Sequence, residues 1–255
     1  MATYKKRGGK PSTKTEKETS IEDGSTTAEV FNTLDESASR TEEWVIKNQK
    51  YIFIIVGLSA ALVLGYLGFD KLVQEPKESV ATNDMFQSQQ YFDQAVNGTS
   101  KDSLFTLSLN GSDGKYGFLD IADVYSGTDA GNLANYYAGM AYLNMKDYSN
   151  AITYLNAFSS DDDVLGPIAK GGIGDAFVQL EQLDDAYDYY VQAAQLKTND
   201  YTTPMYLYKA GMIGLKLENY SKALGFFNQI KSEFPDSTEA KDIEVFIGKA
   251  EAAIN

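Results

Sequence analysis

Between Lys50 and Asp70 the chain runs for 19 residues, Tyr51–Phe69, without a charged side chain. At 1.5 Å per residue, a helix of that length reaches about 28 Å, close to the roughly 30 Å of hydrocarbon in a bilayer. Eleven of the 19 are Leu, Ile, Val or Phe. At about 0.3–0.6 kcal/mol each, they favour insertion by about 3–6 kcal/mol before the Gly and Ser contributions. Tyr51 and Tyr66, with Trp44 further out, suit the interfacial aromatic belt. The competing use of such a run is a helix buried in a soluble core, but this one is longer than such helices usually show. A cleaved signal peptide has a shorter apolar run placed nearer the N-terminus. The run therefore reads as a signal anchor surrounded by membrane lipid. Arg40, Lys47 and Lys50 on its N-side against Lys71 and Lys77 on its C-side give a small positive excess, which points to a cytoplasmic N-terminus. Gly57, Ala61 and Gly65 recur at i, i+4 and i+8, and Gly68 extends the stripe. Small residues on one face let a second membrane helix approach closely, although Gly is also simply frequent in such helices.

Charge is unevenly placed about this run. Residues 1–50 hold nine basic and nine acidic side chains, whereas residues 70–255 hold 13 Lys, no Arg and 27 carboxylates, the whole net charge of −14. A domain of that sign repels phosphate backbones, so nucleic acid is not an expected partner. The chain has no His and no Cys. That excludes imidazole acid–base chemistry, thiol nucleophiles, disulfides and the commonest metal sites. No catalytic, cofactor-binding or metal constellation is expected. Residues 1–40, rich in Lys, Thr, Ser and Glu, are expected to be a disordered cytoplasmic tail. Val30, Phe31, Leu34 and Ala38 add the option of a short amphipathic helix leading into the juxtamembrane segment 41–50.

Beyond the anchor the hydrophobic period is helical and then repeats. Gly139 precedes Ala151 by 12 residues, and so do Gly174 and Ala186, and Gly211 and Ala223. The units recur after 35 and then 37 residues. A period near 34 with this order of small and aromatic residues resembles the tetratricopeptide repeat, a helical hairpin that stacks on its neighbours. The Gly of helix A and the Ala of helix B are expected where the two helices cross. Lys146-Asp147-Tyr148, Gln182-Leu183-Asp184 and Glu218-Asn219-Tyr220 read as the turns. Pro167 and Pro204 read as first residues of helix A. Pro235 closes the third repeat, and Asp236 with Glu239 caps a final helix at about 237–253 whose Lys241, Asp242, Glu244 and Lys249 face water. Residues 70–130 read as a linker helix at about 83–97, nearly continuing the membrane helix with Pro76 as a break or kink, and a degenerate leading repeat, with a turn at Asn110–Gly114; residues 131–255 read as the repeats and the capping helix. The fold expected is all-α, one transmembrane helix followed by an α-solenoid.

In such a stack helix A lines the inner, concave surface. The expected peptide groove is Leu133, Tyr136, Met140 and Leu143, then Asp175 and Val178, then Met205, Tyr208, Met212 and Leu215. Met and Tyr suit adaptable recognition of peptide segments, though several of these positions are equally suited to core packing. Asp161-Asp162-Asp163 reads as a solvated loop, since three consecutive Asp cannot all reach one ion. Asp102-Ser103-Leu104 resembles a bacterial O-glycosylation signal.

Taken together, Trp44–Val73, Asp84-Met85-Phe86, Gly117-Phe118-Leu119-Asp120, Gly131–Gly139 and Leu165-Gly166-Pro167 resemble the YfgM-type tetratricopeptide family, ancillary subunits of the bacterial Sec translocon, in its Bacteroidetes form. The likeness covers about residues 40–255. It implies a bacterial inner-membrane protein with a periplasmic repeat domain. It also implies contact with the SecYEG translocon and membrane-anchored periplasmic chaperones, and work on unfolded or nascent exported chains. The runner-up is an envelope-assembly or cell-division scaffold unconnected to Sec.

Overall fold

In the computed structural model, backbone is described for residues 26–98 and 101–254, and side chains from residue 41. The chain divides into two units, Met1–Phe69 and Asp70–Asn255. In the first, the described residues form one helix, α1 (Thr26–Phe69). It begins inside the stretch expected to be a disordered tail, so residues 26–40 are helical; residues 1–25 lie outside the described residues. The apolar run is uncovered: Phe53 is 65% exposed, Leu62 75% and Leu64 68%. This helix is long and apolar enough to cross a membrane. A helix satisfies its backbone polar groups internally, which is the condition for lying in hydrocarbon. A Cβ added at Gly57, Gly65 or Gly68 would meet nothing within 4 Å. With the exposed Ala61, these glycines leave one side of α1 open.

The second unit starts with a π-helical turn, Asp70–Gln74, and then α2 (Glu75–Asn97). Pro76 accounts for the turn: it has no N–H to give the carbonyl four residues back, and its ring crowds that carbonyl. The helix expected at 83–97 thus begins eight residues earlier, at Glu75. Then follow α3 (Lys101–Asn110) and α4 (Phe118–Val124). The Asn110–Gly114 turn holds positive φ at Gly111, Asp113 and Gly114. α2 buries Ala81, Met85, Ser88 and Ala95 along one stripe. Beside them Phe92 meets Phe105 and Tyr137 edge-on at 5.5 and 5.1 Å, and Phe118 stacks on Tyr137 at 5.0 Å.

Polar contacts fasten α2 to the loop before the repeats. The Glu78 carboxylate accepts the backbone N–H of Asp129 at 2.7 Å and of Ala130 at 2.9 Å. Gln74 and Lys77 donate to the carbonyls of Gly127 and Ser126. Tyr125 donates to Asp84, and that bond, with burial second, pushes the phenol up to about 12. Helix N-terminal N–H groups lack intrahelical partners, so an acidic side chain there stabilises the end it caps.

Three helical hairpins follow: α5 (Asp129–Asn144) with α6 (Tyr148–Ala157), α7 (Leu165–Gln179) with α8 (Leu183–Leu196), and α9 (Thr202–Lys216) with α10 (Tyr220–Glu233). The glycines sit at the crossings. A Cβ on Gly139 would lie 2.5 Å from Leu155, and one on Gly174 would lie 2.7 Å from the Tyr190 ring. One on Gly211 would overlap the ring of Phe227. Ala151, Ala186 and Ala223 are fully buried.

All three hairpins turn in the same way. Lys146, Glu181 and Glu218 adopt φ of 64, 60 and 60°, the left-handed region. The next N–H reaches back to helix A: Asp147 to Tyr142, Gln182 to Phe177 and Asn219 to Gly214 at 2.9, 2.9 and 2.8 Å. This is a Schellman closure, with a charged residue where glycine is usual. The middle turn is therefore Glu181-Gln182, one residue earlier than expected, and Leu183 and Asp184 open α8. Pro167 and Pro204 stand third in α7 and α9 rather than first. Both are still within the first turn, where no N–H is required. The final helix is α11 (Ile243–Ile254), preceded by a 3₁₀ turn at Glu239–Asp242. Ser237 rather than Asp236 caps that turn, accepting the N–H of Ala240 at 3.2 Å.

Candidate functional site

Leu133, Tyr136, Met140 and Leu143 lie on α5, Asp175 and Val178 on α7, and Met205, Tyr208, Met212 and Leu215 on α9. All ten are half-buried. The reason is register: on each helix A the Ala and Gly positions meet helix B, and the residues beside them are turned part-way out.

The middle helix brings its neighbours together. A Cβ on Gly172 would stand 3.7 Å from both Met140 and Leu143, and one on Gly171 would overlap the Tyr206 ring. Without side chains at 171 and 172, side chains from α5 and α9 close over α7. Tyr136, packed against Phe158 at 5.2 Å, has its hydroxyl raised above the usual phenol range by burial.

Eight of the ten pack against buried core clusters, and two of the ten reach beyond their own hairpin. Asp175 accepts hydrogen bonds from Tyr190 and Lys209, both at 2.6 Å, tying α7 to α8 and α9. Lys209 also lies over the Tyr190 and Tyr206 rings at 5.4 and 5.6 Å. Burial, and then the Asp175 charge, push both phenols well above their ordinary range. The pair is about one-third exposed, so its net contribution to stability is at most about 1 kcal/mol. Tyr208 turns its ring edge-on to Phe246 of α11 at 5.2 Å. These partners lie one helix or more away in sequence, and no local pattern announces them.

A cleft lies at one end of this face. It measures about 780 Å³ and runs between the start of α5 and the α6–α7 loop, lined by Asn132, Leu133, Asn135, Phe158, Ser159 and Asp161 among others. Leu133 is the one predicted groove residue that it includes. Asn132 fixes its wall by exchanging two hydrogen bonds with the backbone of Ser159, at 2.7 and 3.0 Å.

The acidic run has a structural task. Asp162 accepts the N–H groups of Val164 and Leu165, both at 2.8 Å, and these bonds lower its pKa. Asn199 accepts those of Tyr201 and Thr202 at 2.9 and 2.7 Å. Asp162 and Asn199 are 37 residues apart, the spacing of Gly174 and Gly211, so the repeat period would have exposed this cap. Among the described residues no group of three or more Asp or Glu is placed to hold a metal ion.

Stacked antiparallel hairpins with small residues at each crossing define an all-helical repeat scaffold, a class that serves protein–protein interaction and is typically non-catalytic. The tetratricopeptide repeat family model matches residues 133–162 and 206–237. The chain thus carries tetratricopeptide repeats, and α7–α8 between the matched segments keeps the same crossing and turn. No curated protein matches the chain significantly.

Proposed function

We propose that the chain is a single-pass membrane scaffold whose repeat domain binds extended segments of other proteins along the inner face of α5, α7 and α9. The observation that carries the reading is the half-buried state of the ten groove residues on three successive helices. A partner can still cover such side chains, and little ordering remains to be lost when it does. The uncovered apolar run of α1 supports the membrane half of the proposal. Tethering a weak binder to a surface raises its effective concentration toward anything else held there.

The narrower assignment is an ancillary subunit of the Sec translocon. The domain would lie in the periplasm and the N-terminus in the cytoplasm, and the protein would work beside membrane-anchored periplasmic chaperones on newly exported chains. It rests on the family resemblance carried by the anchor and the Gly131–Gly139 and Leu165–Pro167 segments. Purification of the full chain in mild detergent is expected to co-isolate SecY. A preparation that instead brings down only division or envelope-assembly proteins would replace the Sec assignment while leaving the scaffold.

A further inference from the structure

The inner face is nearly uncharged within a strongly acidic domain. Helices α5, α7 and α9 together carry two carboxylates, Asp129 and Asp175, and three lysines, Lys170, Lys209 and Lys216. The rest of residues 70–255 carries ten Lys and 25 carboxylates. Asp129 is the first residue of α5 and so stands at the edge of the face. Asp175 is matched by Lys209. Lys170 lies over the Tyr189 ring and Lys216 ends α9 at the turn edge, and the floor between is chiefly Tyr, Met and Leu.

The exposed charges sit at the two edges, and the acidic excess is at the N-terminal one. Successive helices A are separated by an antiparallel partner, so they run in the same direction. Their N-termini share one edge of the face and their turns share the other. Asp129, Asp161, Asp163 and Asp200 are exposed on the N-terminal edge, where Lys197 reaches Asp163 at 4.0 Å; in the turns Glu181 and Glu218 are exposed beside the likewise exposed Lys146 and Lys216. Exposed charges act over about one Debye length, roughly 8–10 Å at ordinary ionic strength. A chain crossing the face must pass within reach of one edge or the other.

We infer that the occupant is an extended segment with a neutral apolar or aromatic core and Lys or Arg on its flanks. This deepens the groove reading above and rests on it. The floor takes the core through Tyr136, Met140 and Met212. The N-terminal edge draws in basic flanks and repels acidic ones, so a second copy of this acidic domain is disfavoured as the partner. The charge acts chiefly on choice of partner and rate of encounter, while the apolar floor supplies the hold.

The test uses the full chain in nanodiscs of zwitterionic lipid and the anisotropy of dye-labelled peptides. Three peptides are compared: an apolar core with Lys flanks, the same core with Glu flanks, and a Gly/Ser core with Lys flanks. The first is expected to bind about tenfold more tightly than the second, and the ratio should shrink as salt rises from about 0.05 M to about 0.5 M. The double variant E181K/E218K should lower the ratio several-fold. It is expected to fold, because Lys146 already occupies the same left-handed turn position in the first hairpin. Equal binding of the Lys- and Glu-flanked peptides would overturn the charge inference and leave the groove standing. Equal binding of the Lys-flanked Gly/Ser peptide would reduce the interaction to surface charge and overturn the inference. No binding of any peptide would overturn the groove reading with it.

Discussion

Glycine at a helix crossing and glycine on a helix surface obey opposite rules, and this chain holds both in one hairpin. Gly211 faces the Phe227 ring, whose Cζ would stand 2.7 Å from an added Cβ, and Phe227 is fully buried and cannot swing away. Gly225 lies exposed on α10 with nothing within 4 Å. Overpacking a core costs about 1–3 kcal/mol, whereas Ala exceeds Gly in helix propensity by about 1 kcal/mol. Gly211→Ala is therefore expected to destabilise by about 1–2 kcal/mol and Gly225→Ala to stabilise by up to about 1 kcal/mol. Thermal melts of the two variants check this, with about 2–4 °C expected per kcal/mol for a domain of this size. The 12-residue Gly–Ala spacing announced the crossing. It did not announce that the glycine would face the residue four beyond the Ala: Leu155, Tyr190 and Phe227. That pairing depends on how deeply the two helices approach.

At the scale of elements, the three hairpin turns carry a strain that their sequences do not need. Lys146, Glu181 and Glu218 are in the left-handed region, which costs a side-chain-bearing residue about 1–2 kcal/mol. Glu181→Gly relieves it but adds freedom to the unfolded chain, and the net expectation is a gain of about 0.5–1 kcal/mol. A rise in denaturation midpoint with unchanged slope would establish it, and a fall would show that the Glu side chain stabilises the turn. Three element boundaries differ from those that local sequence rules predict, for physical reasons. The middle turn lies one residue earlier than predicted because Leu183 and Asp184 are as acceptable in a first helical turn as in a loop. α2 starts earlier than the sequence predicts because Pro76, a helix breaker by local rule, is tolerated once the turn before it widens. The last helix was started too early because Glu239–Asp242 form a tighter 3₁₀ turn.

For the whole molecule, the prediction is partition. Alkaline carbonate washing of cell membranes is expected to leave the full chain in the pellet, held by the apolar run of α1. Recovery of the intact chain in the wash would remove the anchor from the proposal and leave a repeat domain alone. The sequence by itself determined the apolar span, the helical hairpins and their order, because each follows from a local rule: unbroken apolarity, helical period, and small residues at a fixed interval. It also placed the ten residues predicted to line a groove on successive helices A, because the hydrophobic period fixes which helix each belongs to. Only the tertiary structure decided which of those side chains are already spoken for. Asp175 is taken by Tyr190 and Lys209, and Tyr208 is packed on Phe246. It also decided that Glu78 caps a helix 51 residues away. Such pairings join residues far apart in the chain, and they exist only once packing has fixed one helix against the next.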